Sequence, residues 1–336
     1  MNESEKNPAP QGQALGSPAS AASPQPPTPS PQPRERSEAV PPPPAPPRAP
    51  RPAVPPSAPP PPATSPWARQ IGAVLRLELK KTFLSKRGWW IYCLALGPVA
   101  LTLIHWLFEA RRGAGRHSMG EDSIIFAALF MFYYLRAGIF FGCMGIFSNL
   151  FRGEMLEKTL HYYFLTPMRR EMLVAGKYLA GLAVALVLFV GSAALSFVLL
   201  GKHFGAAWTD YLLHGPGLNQ LGSYALVATL ACIGYGAVFL MCGLFFKNPM
   251  IAAAVVWVWE NLNPFLPTVL KKISVIFYLK NLCPVEVPVG PPFNVMVIEA
   301  DPSPFWVAVP GLLLLSLILL VYSGVSARNT EINYGE

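Results

Sequence analysis

Six apolar runs of about 20 residues constrain this chain more than any other feature. They cover approximately residues 89–108, 123–148, 178–200, 221–246, 250–270 and 305–326, and each carries few charges. A helix needs about 20 such residues to cross a hydrocarbon core roughly 30 Å thick. Hydrophobic residues make up 52% of the sequence and charged ones 13%, which argues against a water-soluble fold. The runs are continuous rather than alternating ten-residue segments, so a transmembrane β-barrel does not fit. The expectation is an all-α integral membrane protein with six transmembrane helices across residues 89–326 and a short tail at 327–336.

What precedes the first run divides in two. Residues 1–66 hold 24 of the 37 prolines, in stretches such as "PPPPAPPRAPRPAVPPSAPPPP". Proline lacks a backbone donor and disfavours helix in its predecessor, so a disordered tail with polyproline II stretches is expected, serving as linker or tether. It has no apolar core of the kind a signal peptide carries. Over residues 67–88, Trp67, Ile71, Val74, Leu75, Leu79 and Phe83 recur at helical spacing while Arg69, Arg76, Lys80 and Arg87 occupy other faces. That pattern predicts an amphipathic basic helix at the membrane interface, with Trp89 and Trp90 as aromatic anchors of the first span.

Charge placement sets the orientation. With the amino terminus inside, 13 Lys and Arg residues fall in internal segments and 7 in external ones, so both termini are expected in the cytoplasm of a multi-pass protein of the cell inner (cytoplasmic) membrane. The net charge of +8 lies mostly beside apolar spans, where anionic headgroups of the lipid bilayer account for it; no nucleic-acid partner is expected. Cys93, Cys143, Cys232, Cys242 and Cys283 have no zinc-like spacing, and the histidines are scattered, so no metal site is expected. After the fifth run, "ISVIFYL" and a group of prolines suggest a short re-entrant or surface-lying segment.

The most charged part of the second half is "EMLEKTLHYYFLTPMRREMLVAGKYLAG", Glu154 to Gly181. Leu156, Leu160, Tyr163 and Phe164 recur at helical spacing, Thr166 suits an N-cap, Pro167 suits the first helical position, and Glu171 suits the first turn. A helix, a corner and a second helix running into the third span are predicted, with the segment 149–177 facing the cytoplasm. The spacing resembles the type-2 permease subunits of ATP-binding-cassette transporters. These have six spans, a basic amphipathic helix before the first, and a Glu, Gly-Thr-Leu, Thr-Pro, Arg and Gly-Lys series between the second and third. Glu154, Thr159, Leu160, Thr166, Pro167, Arg170, Gly176 and Lys177 stand at those spacings. Lys158 replaces the usual glycine, and His161 a commonly acidic residue. The resemblance covers Trp67 to Ser326.

It implies that the corner is a coupling helix docking into a separate nucleotide-binding ATPase subunit, with Glu154, Thr159, Leu160, Thr166, Pro167 and Arg170 as coupling residues. It also implies a second permease chain, as homodimer or heterodimer, and export as the direction. ATP and Mg would sit on the partner; this chain is expected to bind no cofactor and to be no enzyme. Gly176-Lys177 is not a phosphate loop, since residue 171 is Glu and residue 178 is Tyr. Arg136 and Glu260 fall inside the second and fifth runs, where a charge facing lipid is costly. Each is expected to face the bundle, as a pair or polar cluster with Asn261 and Asn263, or along a substrate route. Pro264 and Pro267 predict a kink or broken end. The alternative to transport is a membrane scaffold recruiting partners through its proline-rich tail.

Overall fold

The computed structural model describes residues 66–83, 88–112, 118–156, 170–246, 248–285 and 304–329. The expected tail, apart from Pro66, and the corner from Thr159 to Pro167 lie outside these. The chain runs through α1 (Pro66–Phe83), α2 (Trp89–Arg112), α3 (Met119–Ala128), a π-helical stretch (Leu129–Gly138) and α4 (Ile139–Leu156). It continues through α5 (Arg170–Ala185), a second π turn (Leu186–Val190), α6 (Gly191–Gly201), α7 (Ala206–Leu213) and α8 (Gly217–Phe245). The last elements are α9 (Pro249–Leu262), α10 (Thr268–Lys271), α11 (Val275–Lys280) and α12 (Phe305–Asn329). Among the described residues there is no strand.

Among the described residues, five stretches are long and apolar enough to cross a membrane: Trp89–Arg111, Met119–Met155, Arg170–Phe204, Gly217–Phe245 and Phe305–Ala327. The continuous helix expected over 250–270 is not among them. α9 stops after 14 residues, about 21 Å of helix at 1.5 Å per residue. Pro264 and Pro267 follow it, each lacking the N–H that would continue the ladder. The chain turns instead through a 3-10 turn at Asn263–Phe265 and through α10. α11 then enters the interior, with Val275, Ile276, Phe277, Tyr278 and Leu279 all buried. It packs against α8 and α12, where two glycines make room: a Cβ at Gly234 would lie 2.9 Å from Val275, and one at Gly311 2.8 Å from Tyr278.

α8 is the central helix. Of its apolar window 67% is buried, against 17% for α12, and it contacts α4, α5, α6, α9, α11 and α12. Large apolar side chains cover the outside as well: Trp306, Leu314 and Ile318 of α12, Met250 and Val255 of α9, and Leu101 of α2 are exposed. An apolar exterior around an apolar interior suits lipid as the surrounding solvent, and close packing then depends on small residues. Phe147 fills the space left by two of them, since a Cβ at Gly181 or Gly236 would come within 2.8 or 2.7 Å of its ring. Gly142 likewise admits the Phe189 ring, whereas Gly138 faces Tyr133 of its own helix.

Helix ends meet in a consistent order. At one end, Trp90 of α2 packs on Gly145 of α4, Arg170 of α5 reaches Ala327 of α12, and Phe245 of α8 stacks on Tyr322 of α12 at 5.4 Å. At the other, Phe126 of α3 meets Phe197 of α6 and Tyr224 of α8, with ring centroids 5.0 and 4.9 Å apart.

Candidate functional site

The apolar stripe of α1 runs Ile71, Val74, Leu75, Leu79, and Glu78 sits within it. This face packs along α5, closely because residue 176 is glycine: a Cβ there would lie 3.0 Å from Val74. The next residue, Lys177, has no exposed surface. Its ammonium lies 2.5 Å from Glu78 Oε1 and 2.8 Å from Glu154 Oε2, and donates to the Leu150 carbonyl at 2.9 Å. Lys81 adds a second cation, 3.3 Å from Glu154 Oε1. Two carboxylates and two ammoniums therefore join α1, α4 and α5, with Lys177 also over the Phe151 ring. Such burial is tolerated because each charge has opposite charge and hydrogen bonds around it. Burial nonetheless pushes the Glu78 carboxyl above its ordinary range; Lys177 pulls it down by less, and Glu154 adds to the rise.

The predicted coupling residues are placed unevenly. Glu154 is buried at the end of α4, its carboxylate turned inward onto Lys177 and Lys81. Arg170 opens α5 and donates from Nη1 to the Ala327 carbonyl at 3.2 Å. Thr159, Leu160, Thr166 and Pro167 lie outside the described residues. The segment between Leu156 and Arg170 is thus flanked by two fastenings, one to α1 and α5, the other to the last turns of α12.

A second polar centre surrounds Glu260. Its Oε2 accepts from Ser274 Oγ at 2.8 Å, from the Ile276 N–H at 2.9 Å and from the Tyr235 hydroxyl at 3.3 Å, while Oε1 accepts from the Val275 N–H at 3.0 Å. The carboxylate thus satisfies the first amides of α11, which a buried helix start leaves without partners. Asn263 donates to the Lys271 carbonyl at 3.3 Å and closes the same corner. Arg136 and Glu260 do not form the ion pair that was one expectation. Arg136 Nη1 donates instead to Asn261 Oδ1 at 2.9 Å. The π-helical stretch spreads its side chains over three helices: Tyr133 to the Leu94 carbonyl, Tyr134 to Ser196, and Arg136 to Asn261.

Histidines remote in sequence also meet. His105 Nε2 and His203 Nε2 lie 3.9 and 3.5 Å from Asp122 Oδ2, and the three ligand atoms are within 4.8 Å of one another. Sequence spacing gave no signal of this set. Glu78 did leave one, as a carboxylate seven residues after Ile71 on an otherwise apolar stripe.

No protein-family model and no curated protein matches the chain.

Proposed function

We propose that the chain is the membrane-spanning permease subunit of an ATP-binding-cassette exporter, paired with a second permease chain and driven by a separate ATPase subunit. The observation that carries this reading is the Glu78–Lys177–Glu154 cluster. Two residues of the permease-like series, Glu154 and Lys177, meet in one buried network although 22 residues separate them, and the network ties in the helix before the first span. A segment that receives force from a partner needs rigid attachment at both ends. Here Glu154 stands just before it and Arg170 at its close, so displacement of the segment would be passed to α1, α5 and α12 together.

In this reading α9 with its continuation makes a sixth pass, and both termini face the cytoplasm. Glu260 then fastens α11 rather than contacting cargo, and Arg136 with Asn261, bonded across the second and fifth runs, is the polar pair this reading assigns to a substrate route.

The test is co-expression with candidate ATPase subunits, purification through a tag on the permease, and assay of ATP hydrolysis in lipid nanodiscs. Association that disappears when Thr166 and Pro167 are both replaced, while the chain remains folded and membrane-inserted, is the expected result. A chain that binds no ATPase and moves no amphipathic substrate in vesicles would leave the scaffold role instead.

A further inference from the structure

His105 comes from α2, Asp122 from the first turn of α3, and His203 from the 3-10 turn Lys202–Phe204 that follows α6. Asp122 and the His203 side chain are buried, and His105 is three-quarters so. The His203 Nδ1 lies 2.9 Å from the Leu200 carbonyl. A carbonyl only accepts, so Nδ1 carries the proton, and in the neutral ring Nε2 presents its lone pair to the carboxylate. A cation placed between these two electron-rich atoms would be held by both. An imidazolium proton is one candidate, but charge-assisted N–H···O contacts close to about 2.7–2.9 Å. The observed separations of 3.5 and 3.9 Å are wider. Tetrahedral zinc, with bonds of about 2.0–2.2 Å, sets its ligand atoms about 3.3–3.6 Å apart.

We propose that His105, Asp122 and His203 hold a divalent transition metal, zinc by donor set, with the 3.9 Å pair closing by a few tenths of an ångström on binding. Two neutral imidazoles and one carboxylate give a site of net charge −1, which suits a dication and leaves a fourth position for water or another ligand. The Leu200 carbonyl is the outer partner that fixes the ring of a ligating histidine. Lys202, a neighbouring cation among the described residues, is engaged over the Trp106 ring at 5.5 Å, and Glu109, one turn beyond His105, is buried. A small cleft lined by Asp122, Leu200, Gly201, Phe204 and Trp208 borders the Asp122 side of the cluster. The bound metal would tie the end of α2 to the start of α3 and the end of α6. None of this depends on the transport reading.

The experiment uses the full chain, purified in detergent with chelator and then desalted. Zinc is titrated by competition with a chromophoric chelator, and cobalt is added as a spectroscopic probe. The expected result is one zinc per chain and a visible four-coordinate cobalt spectrum without a thiolate charge-transfer band. His105→Ala and His203→Ala should each weaken zinc binding by more than about 100-fold, beyond what loss of an outer partner produces. His203→Gln, which keeps a polar side chain of similar size, serves if the alanine variants fail to fold. Absence of stoichiometric zinc, zinc binding unchanged in these variants, or a cobalt–thiolate band pointing to the cysteines would each overturn the proposal.

Discussion

Lys177 is a charge that the fold must neutralise from within, because its side chain reaches no solvent and its neighbours are Glu78, Glu154 and a backbone carbonyl. Lys177→Met removes the shared cation and leaves two carboxylates facing each other, so a loss of about 3–5 kcal/mol is expected in a denaturant or thermal unfolding series. Combining it with Glu78→Gln and Glu154→Gln should restore much of that stability, since the buried charges go together and the remaining Lys81 is about half exposed to water. Glu78 adds a pH signature. Its carboxyl is raised from the ordinary 4.5, so its titration favours the folded state most below that value and less as pH rises through the raised one. The stability advantage of the native chain over Glu78→Gln should therefore narrow as pH increases, which unfolding midpoints at a series of pH values will read. Cys283 behaves differently again: burial pushes its thiol up to about 12, leaving a thiolate fraction on the order of one in ten thousand at pH 8. Maleimide should label it slowly in the folded chain and promptly after denaturation.

At the scale of elements, the decisive departure from a simple helix bundle is the α9–α11 corner. The prolines that end α9 were visible in the sequence, and so was a short apolar segment after it. What could not be read was the partner of Glu260, because its four donors come from Tyr235 and from Ser274, Val275 and Ile276 beyond the turn, and no spacing rule links a carboxylate to amides it meets only after the chain reverses. The same holds for Lys177: its place in a Gly-Lys pair was legible, whereas its burial depends on α1 folding back along α5. Glu260→Ala should cost about 2–4 kcal/mol through donors left unpaired. Hydrogen exchange should rise first at the amides of Val275 and Ile276 rather than uniformly. Gly234→Leu should have a similar local effect from the opposite side, because its side chain would enter the volume held by Val275. A variant that speeds exchange equally along α8 would indicate general loosening and count against an anchoring role for the corner.

For the whole molecule the question is how many times the chain passes through the bilayer, and parity constrains it. Five of the described helices are long enough to cross, and five crossings alone would put the start of α2 and the end of α12 on opposite faces. Yet α8 and α12 finish side by side, through Phe245 and Tyr322, and the last turns of α12 also meet Arg170 at the start of α5. Between Phe246 and Phe305 the chain must therefore travel from one end of the bundle to the other. α9 is too short to do so as one straight apolar helix, and in the six-pass reading proposed above the turn and corner beyond it supply the remaining distance. Single cysteines placed in a background lacking the native five test this in sealed inverted and right-side-out vesicles with a membrane-impermeant maleimide. Positions 248 and 329 should be labelled from the same face, and position 215, between α7 and α8, from the opposite one. Position 281, just after α11, decides the matter: labelling from the face of position 215 follows from a sixth pass, and labelling from the face of position 248 would mean that the corner dips in and returns without crossing.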